Sequence, residues 1–188
     1  MMRSGIKMKM NGLLVVLALP VASCFSQTLI EDTLAIRTLL DKNHLDYIAV
    51  SEVAVQEYAR ITQLDLSNNA ISGSRKISDL TEHIGSLTSL QTLNLEGNDL
   101  TYLPVAVGKL SKLVSLDISR NNIVEIPEEI GVCTALYDLN LSENQLVNLP
   151  LAISKLQRLS SLNISGNRIS VFPDSICRLS ELKRLEMN

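Results

Sequence analysis

The chain has 188 residues, 17 of them basic and 20 acidic, for a formal net charge of −3. That balance excludes a surface built mainly to neutralise nucleic acid or anionic lipid, and it becomes more acidic if residues 1–24, which hold three basic and no acidic side chains, are removed. With no tryptophan, two phenylalanines and four tyrosines, aromatic anchors for a large tight interface are few.

In chain order, residues 1–24 read as an export signal. Arg3, Lys7 and Lys9 make a positive start, and Leu13 to Val21 make an apolar run too short to serve as a stable membrane span. The run ends in Val21-Ala22-Ser23-Cys24, which resembles the lipobox of bacterial lipoproteins. That resemblance implies a mature protein that begins at a lipidated Cys24 and reaches the membrane through this anchor alone. Cleavage near Gln27 is the other reading and leaves a soluble secreted chain.

Residues 28–60 read as a cap over the start of a repetitive segment, residues 61–188. Asp32 or Thr33 is placed to N-cap a helix with Ile36, Leu39 and Leu40 on one face, ending before Asn43. Val50, Val53, Val55 and Tyr58 then lead into a strand at Ile61.

Residues 61–188 repeat one pattern, L-x-x-L-x-L-x-x-N-x-L. Its second leucine falls at 93, 116, 139, 162 and 185, a period of 23, and Pro104, Pro127, Pro150 and Pro173 keep the same period. There are five full copies and a sixth cut off at Asn188. Within each copy the L-x-L core alternates inward and outward, as a half-buried strand does. The asparagines Asn69, Asn98, Asn121, Asn144 and Asn167 stand where the chain leaves the strand, and their short amides suit the exposed backbone groups of that bend. Each proline opens a helical or 3₁₀ segment with apolar residues at a spacing of three, as in Ile126, Pro127, Ile130 and Cys133. The first copy is longer than the rest, with its excess in Ser72-Gly73-Ser74-Arg75-Lys76-Ile77-Ser78-Asp79 and Thr81 in place of proline. This stretch reads as a tolerated surface insertion or as a loop that contacts a partner.

The pattern resembles the 23-residue leucine-rich repeats with an L-P-x-x-I segment, found in bacterial repeat proteins and in Ras-pathway scaffold proteins of animals and plants. The resemblance implies an α/β fold: a leucine-rich repeat solenoid with a curved parallel β-sheet on the concave side, short helical or 3₁₀ segments on the convex side, and an N-terminal helical cap. Paired cysteines, usual in the caps of animal and plant extracellular relatives, are missing, which favours a bacterial origin. Three readings fit the C-terminus: a frayed last coil, cover by a partner or another copy, or a chain shorter than its relatives.

No catalytic, cofactor-binding or metal-binding residues are expected. His44 with Asp41, and His83 with Asp79, read as solvated surface pairs short of a zinc site. Cys133 takes a core position and Cys177 a small-residue position, so both read as packed thiols. The column Asp65, Asn94, Asp117, Asn140, Asn163 and Glu186 follows the repeat consensus rather than a calcium or sugar site.

The concave face is then the expected binding surface. Tyr137, Asp138 and Glu143 depart most in the fourth copy, and Glu96 and Arg120 break the small-polar pattern beside it; with Asp117 they form the expected footprint of a protein partner. Neither nucleic acid nor a small-molecule substrate is expected. The implied function is a non-enzymatic interaction module, secreted or lipid-anchored at a bacterial envelope. The alternatives are an intracellular signalling scaffold and an adhesive envelope protein that binds glycan or matrix.

Overall fold

The structure is a computed structural model and describes residues 7–10, 13–16, 23–57, 60–68, 75–172 and 174–188. Much of the expected export signal, Tyr58, the Asn69 and Ile71 positions, the Ser72–Ser74 part of the insertion and Pro173 lie outside the described residues. Near the N-terminus, β1 (Lys7–Met10) pairs antiparallel with β2 (Leu13–Val16).

The repeats supply six strands: β4 (Arg60–Asp65), β5 (Thr92–Asn94), β6 (Ser115–Asp117), β7 (Asp138–Asn140), β8 (Ser161–Asn163) and β9 (Arg184–Glu186). They pair in parallel and in sequence order, so the 23-residue period becomes spatial register. Leu64, Leu93, Leu116, Leu139, Leu162 and Leu185 stand side by side, and so do Gln63, Thr92, Ser115, Asp138, Ser161 and Arg184. The leucine row faces the core, where Leu93, Leu139 and Leu162 are fully buried. One coil cannot cover its own leucines, and the stack does so for every inner coil.

Opposite the sheet lie single 3₁₀ turns at Glu82–Ser86, Val105–Lys109, Glu128–Val132, Leu151–Lys155 and Ile176–Arg178. Pro104, Pro127 and Pro150 precede three of them at φ of −66°, −67° and −65°. Thr81 takes the same backbone shape at −61° without a ring. Coils approach closely on this side. A Cβ on Gly131 would lie 2.6 Å from the Cβ of Ala152, which explains why this column runs Gly85, Gly108 and Gly131.

The asparagine column does what the bend requires. Asn121 accepts the backbone N–H of Leu100 at 3.0 Å and donates to the carbonyls of Leu95 and Ile118 at 2.9 and 3.1 Å. Asn98, Asn144 and Asn167 repeat the arrangement one coil apart, so each amide ties its own bend to the preceding coil.

The cap differs from the expectation in two ways. Helix α1 runs Ser23–Lys42, ending where expected but beginning well before Asp32 and Thr33. Asp32 is therefore no N-cap. It lies on the same face as Leu29, Ile36, Leu39 and Leu40 and is 1% exposed. Its carboxylate accepts two hydrogen bonds from Arg60, at 2.9 and 3.1 Å, and one from the Ile61 N–H at 3.0 Å. The second difference comes after the short helix α2 (Val50–Val53). The chain forms β3 (Ala54–Glu57), which pairs antiparallel with β4 and closes that edge of the sheet.

The described end of the insertion is strapped to the cap. Asn43 accepts N–H groups from Ser78 and Asp79, and Arg75 donates to the His44 carbonyl. Asp79 pairs with Lys42 at 2.6 Å and accepts from the Tyr102 hydroxyl, while Asp41 pairs with Arg37. The carboxylates expected beside the two histidines are thus taken by cations. Among the described residues no group of side chains could hold a metal ion, and no helix is long and apolar enough to cross a membrane.

Candidate binding face

The concave columns are built by two local devices. In the first, the side chain at the end of each strand accepts the N–H two residues on: Asp65 from Ser67, Asn94 from Glu96, Asp117 from Ser119, Asn140 from Ser142 and Asn163 from Ser165, at 2.9 to 3.2 Å. These are Asx turns, and they give the Asp/Asn column a structural purpose. Asp117 also accepts from the Ser119 hydroxyl at 2.6 Å and from the Asn140 amide at 2.9 Å.

The second device is a left-handed residue just after the turn. Its N–H bonds the next coil, as Gly97 does to Ser119, Arg120 to Ser142 and Glu143 to Ser165. Gly97 and Gly166 meet the requirement at φ of 73° and 67°. Arg120 and Glu143 occupy the same conformation at 56° and 53° despite their side chains. These two neighbours in the column make an ion pair at 3.3 Å, and Arg120 reaches back to Glu96 at 3.1 Å. The hydrogen bond to Glu143, then the charges of Glu143 and Glu96, raise the Arg120 guanidinium above its ordinary pKa.

The expected footprint therefore divides. Glu96, Arg120 and Glu143 form one connected row, with Arg120 59% exposed. Asp117 is engaged in the internal network and is part-buried. Tyr137 and Asp138 are exposed at the entry to β7. A hollow of about 200 Å³ lies across Asp117, Asp138, Asn140 and Arg184 on the strands. A larger depression of about 470 Å³ lies on the flank, lined by Tyr137 with Arg158, Ser160 and Lys183.

That flank was missed in the sequence. The column Gln91, Val114, Tyr137, Ser160 and Lys183 precedes the strands and lies outside their in–out alternation. Its signal was the same period of 23 read one position earlier.

The cysteines also divide. Cys133 is buried, donates to the Val107 carbonyl at 3.3 Å, and has its thiol pushed up to about 11 by burial. Cys177 is exposed rather than packed, because among the described residues no further coil covers its column.

Comparison with known proteins agrees with this architecture. The family described as leucine-rich repeat region matches residues 64–144, and the leucine-rich repeat itself matches residues 158–179. No curated protein matches the chain. Among solved structures, the chain is similar to a leucine-rich repeat protein of Leptospira interrogans at 32% identity and TM-score 0.58, over 59% of this chain and 28% of that one. It therefore spans under a third of the Leptospira protein's length. The ectodomain of the Arabidopsis thaliana receptor kinase SOBIR1 shares the fold at TM-score 0.67 and 22% identity, over 84% of this chain and 92% of that one. A chain of the BIR3–SERK2 complex from Arabidopsis thaliana is 32% identical at TM-score 0.57, over 72% of each chain. Repeat period, strand register and these likenesses agree, and the chain belongs to the leucine-rich repeat family.

Proposed function

We propose that this chain is a non-enzymatic module that docks a protein partner on its concave face, exported and held at or released from a cell envelope. The observation that carries the reading is the Glu96–Arg120–Glu143 row. Two charged side chains are kept in a left-handed conformation that glycine fills in the coils on either side. Strain held at an exposed charged position, where glycine would serve the fold, points to a use outside the fold. Tyr137 and Asp138 extend the footprint, and Asp117 holds its floor. A preformed arc of this kind loses little freedom on docking. The related plant complex supports the use of such a scaffold for binding protein.

The test is calorimetric titration of a partner isolated from the native host's envelope. Replacing Tyr137 and Arg120 together by alanine is expected to weaken binding by about tenfold or more. Unchanged affinity would remove this patch from the interface. Export is tested by the intact mass of the protein recovered from fractionated host cells. A lipid-modified Cys24 in the membrane fraction, or a soluble chain beginning near Gln27, supports it. An uncleaved Met1 chain in the cytosol would favour the intracellular scaffold.

A further inference from the structure

The flank depression beside Tyr137 has the makings of a recognition site for a negatively charged group. Arg158 and Lys183 line it, both exposed and neither in an ion pair among the described residues. Ser160 also lines it and is 5% exposed. The Ser160 backbone carbonyl accepts the N–H groups of Lys183 and Arg184, and its own N–H donates to the Tyr137 carbonyl. Its hydroxyl has no partner among the described residues. A hydroxyl without a partner that still meets solvent, in an otherwise buried residue and next to two unpaired cations, is matched by an oxyanion that accepts from all three. Gln157 and Ser180 are not available in the same way, since they bond each other at 3.1 Å and the Gln157 amide donates to the Arg178 carbonyl.

We propose that this depression receives the side-chain carboxylate of an acidic residue in an extended partner segment. Arg158 and Lys183 neutralise it, Ser160 Oγ donates to it, and the Tyr137 ring packs against its aliphatic stem. A single carboxylate fits better than a phosphate or a polyanion. Glu181 lines the depression together with the two cations, and the adjoining strand hollow carries Asp117, Asp138 and Glu186 against Arg184 alone, so further negative charge would be repelled. Tyr137 belongs to both surfaces, so a segment lying across the strands reaches the flank without a break. The proposal rests on the concave-face reading and adds to it the chemistry of the partner.

The probe is a rhodamine-labelled, C-terminally amidated decapeptide of glycine and serine with one central glutamate, titrated into the full chain at low salt and followed by anisotropy. Saturable binding is expected. It should weaken about tenfold in Arg158→Glu and in Lys183→Glu, and severalfold in Ser160→Ala. Lys112→Glu, on the same flank but outside the depression, should stay within about twofold of the parent. Lack of saturable binding, or an equal loss in Lys112→Glu, would overturn the site. Inorganic phosphate or phosphatidylglycerol vesicles binding with the same Arg158 dependence, while the peptide does not bind, would overturn it in favour of a small-ion or lipid site. None of these variants alters Arg120 or Asp138. Loss of the flank site therefore leaves the footprint titration readable, and Arg120→Ala alone, which keeps Tyr137, tests the footprint without touching the flank.

Discussion

Arg120 and Glu143 each take a backbone conformation that costs a residue with a Cβ about 1–2 kcal/mol. Their ion pairs are largely exposed, and exposed pairs return about 0–1 kcal/mol. Arg120→Gly is therefore expected to hold or raise the unfolding free energy, by up to about 1 kcal/mol, while weakening the partner. Urea denaturation and titration of the same preparation check both halves, and a loss of stability above about 1 kcal/mol would show that the row is structural. The sequence marked these residues as departures from a small-polar column. It did not show that the column is left-handed, because φ at one position depends on the bend that the whole coil imposes. The asparagines were legible at this scale, since a short amide at a strand exit has few other uses.

At the scale of elements, α1 is joined to the solenoid by a carboxylate. Asp32 holds Arg60 and the Ile61 N–H at the start of β4, and Arg60 continues to the Thr88 hydroxyl at 3.0 Å. Asp32→Ala would leave the Ile61 N–H without this acceptor and the half-buried Arg60 guanidinium without its carboxylate, for an expected loss of about 2–4 kcal/mol. Asp32→Asn, which keeps an acceptor, should lose less. Urea melts with hydrogen exchange at the Ile61 amide check this, and equal stability of Asp32→Ala and the parent would show that apolar contacts alone hold the cap. The helix itself was legible from the spacing of Ile36, Leu39 and Leu40. The role of Asp32 was not, because an aspartate ahead of an apolar stripe has the signature of an N-cap. The partner that decides otherwise stands 28 positions away. Strand β3 escaped for a related reason: Val53 and Val55 show apolar character but not the direction in which the segment pairs.

At the scale of the molecule, equal residues are unequal by place in the stack. Leu139 and Leu185 hold the same repeat position, yet Leu139 is 0% exposed and Leu185 is 37% exposed. Leu139→Ala is expected to cost about 2–5 kcal/mol through the cavity it leaves, and Leu185→Ala under about 1 kcal/mol. Similar losses at the two sites, measured by thermal and urea unfolding, would mean that the last coil is covered in solution.

The 23-residue period by itself determined the solenoid, the parallel register of its strands, the leucine core and the asparagine tie between coils. These arise from contacts that recur between neighbours in a one-dimensional stack, so one copy states the rule for all. The tertiary structure alone decided what happens where the repetition stops or bends. It turned Asp32 from a cap into a tether, closed the first edge with an antiparallel strand, placed Arg120 and Glu143 in a left-handed column, and brought Tyr137 beside Arg158, Ser160 and Lys183. Each of these depends on residues from different coils or from outside the repeat, and no single copy of the pattern contains them.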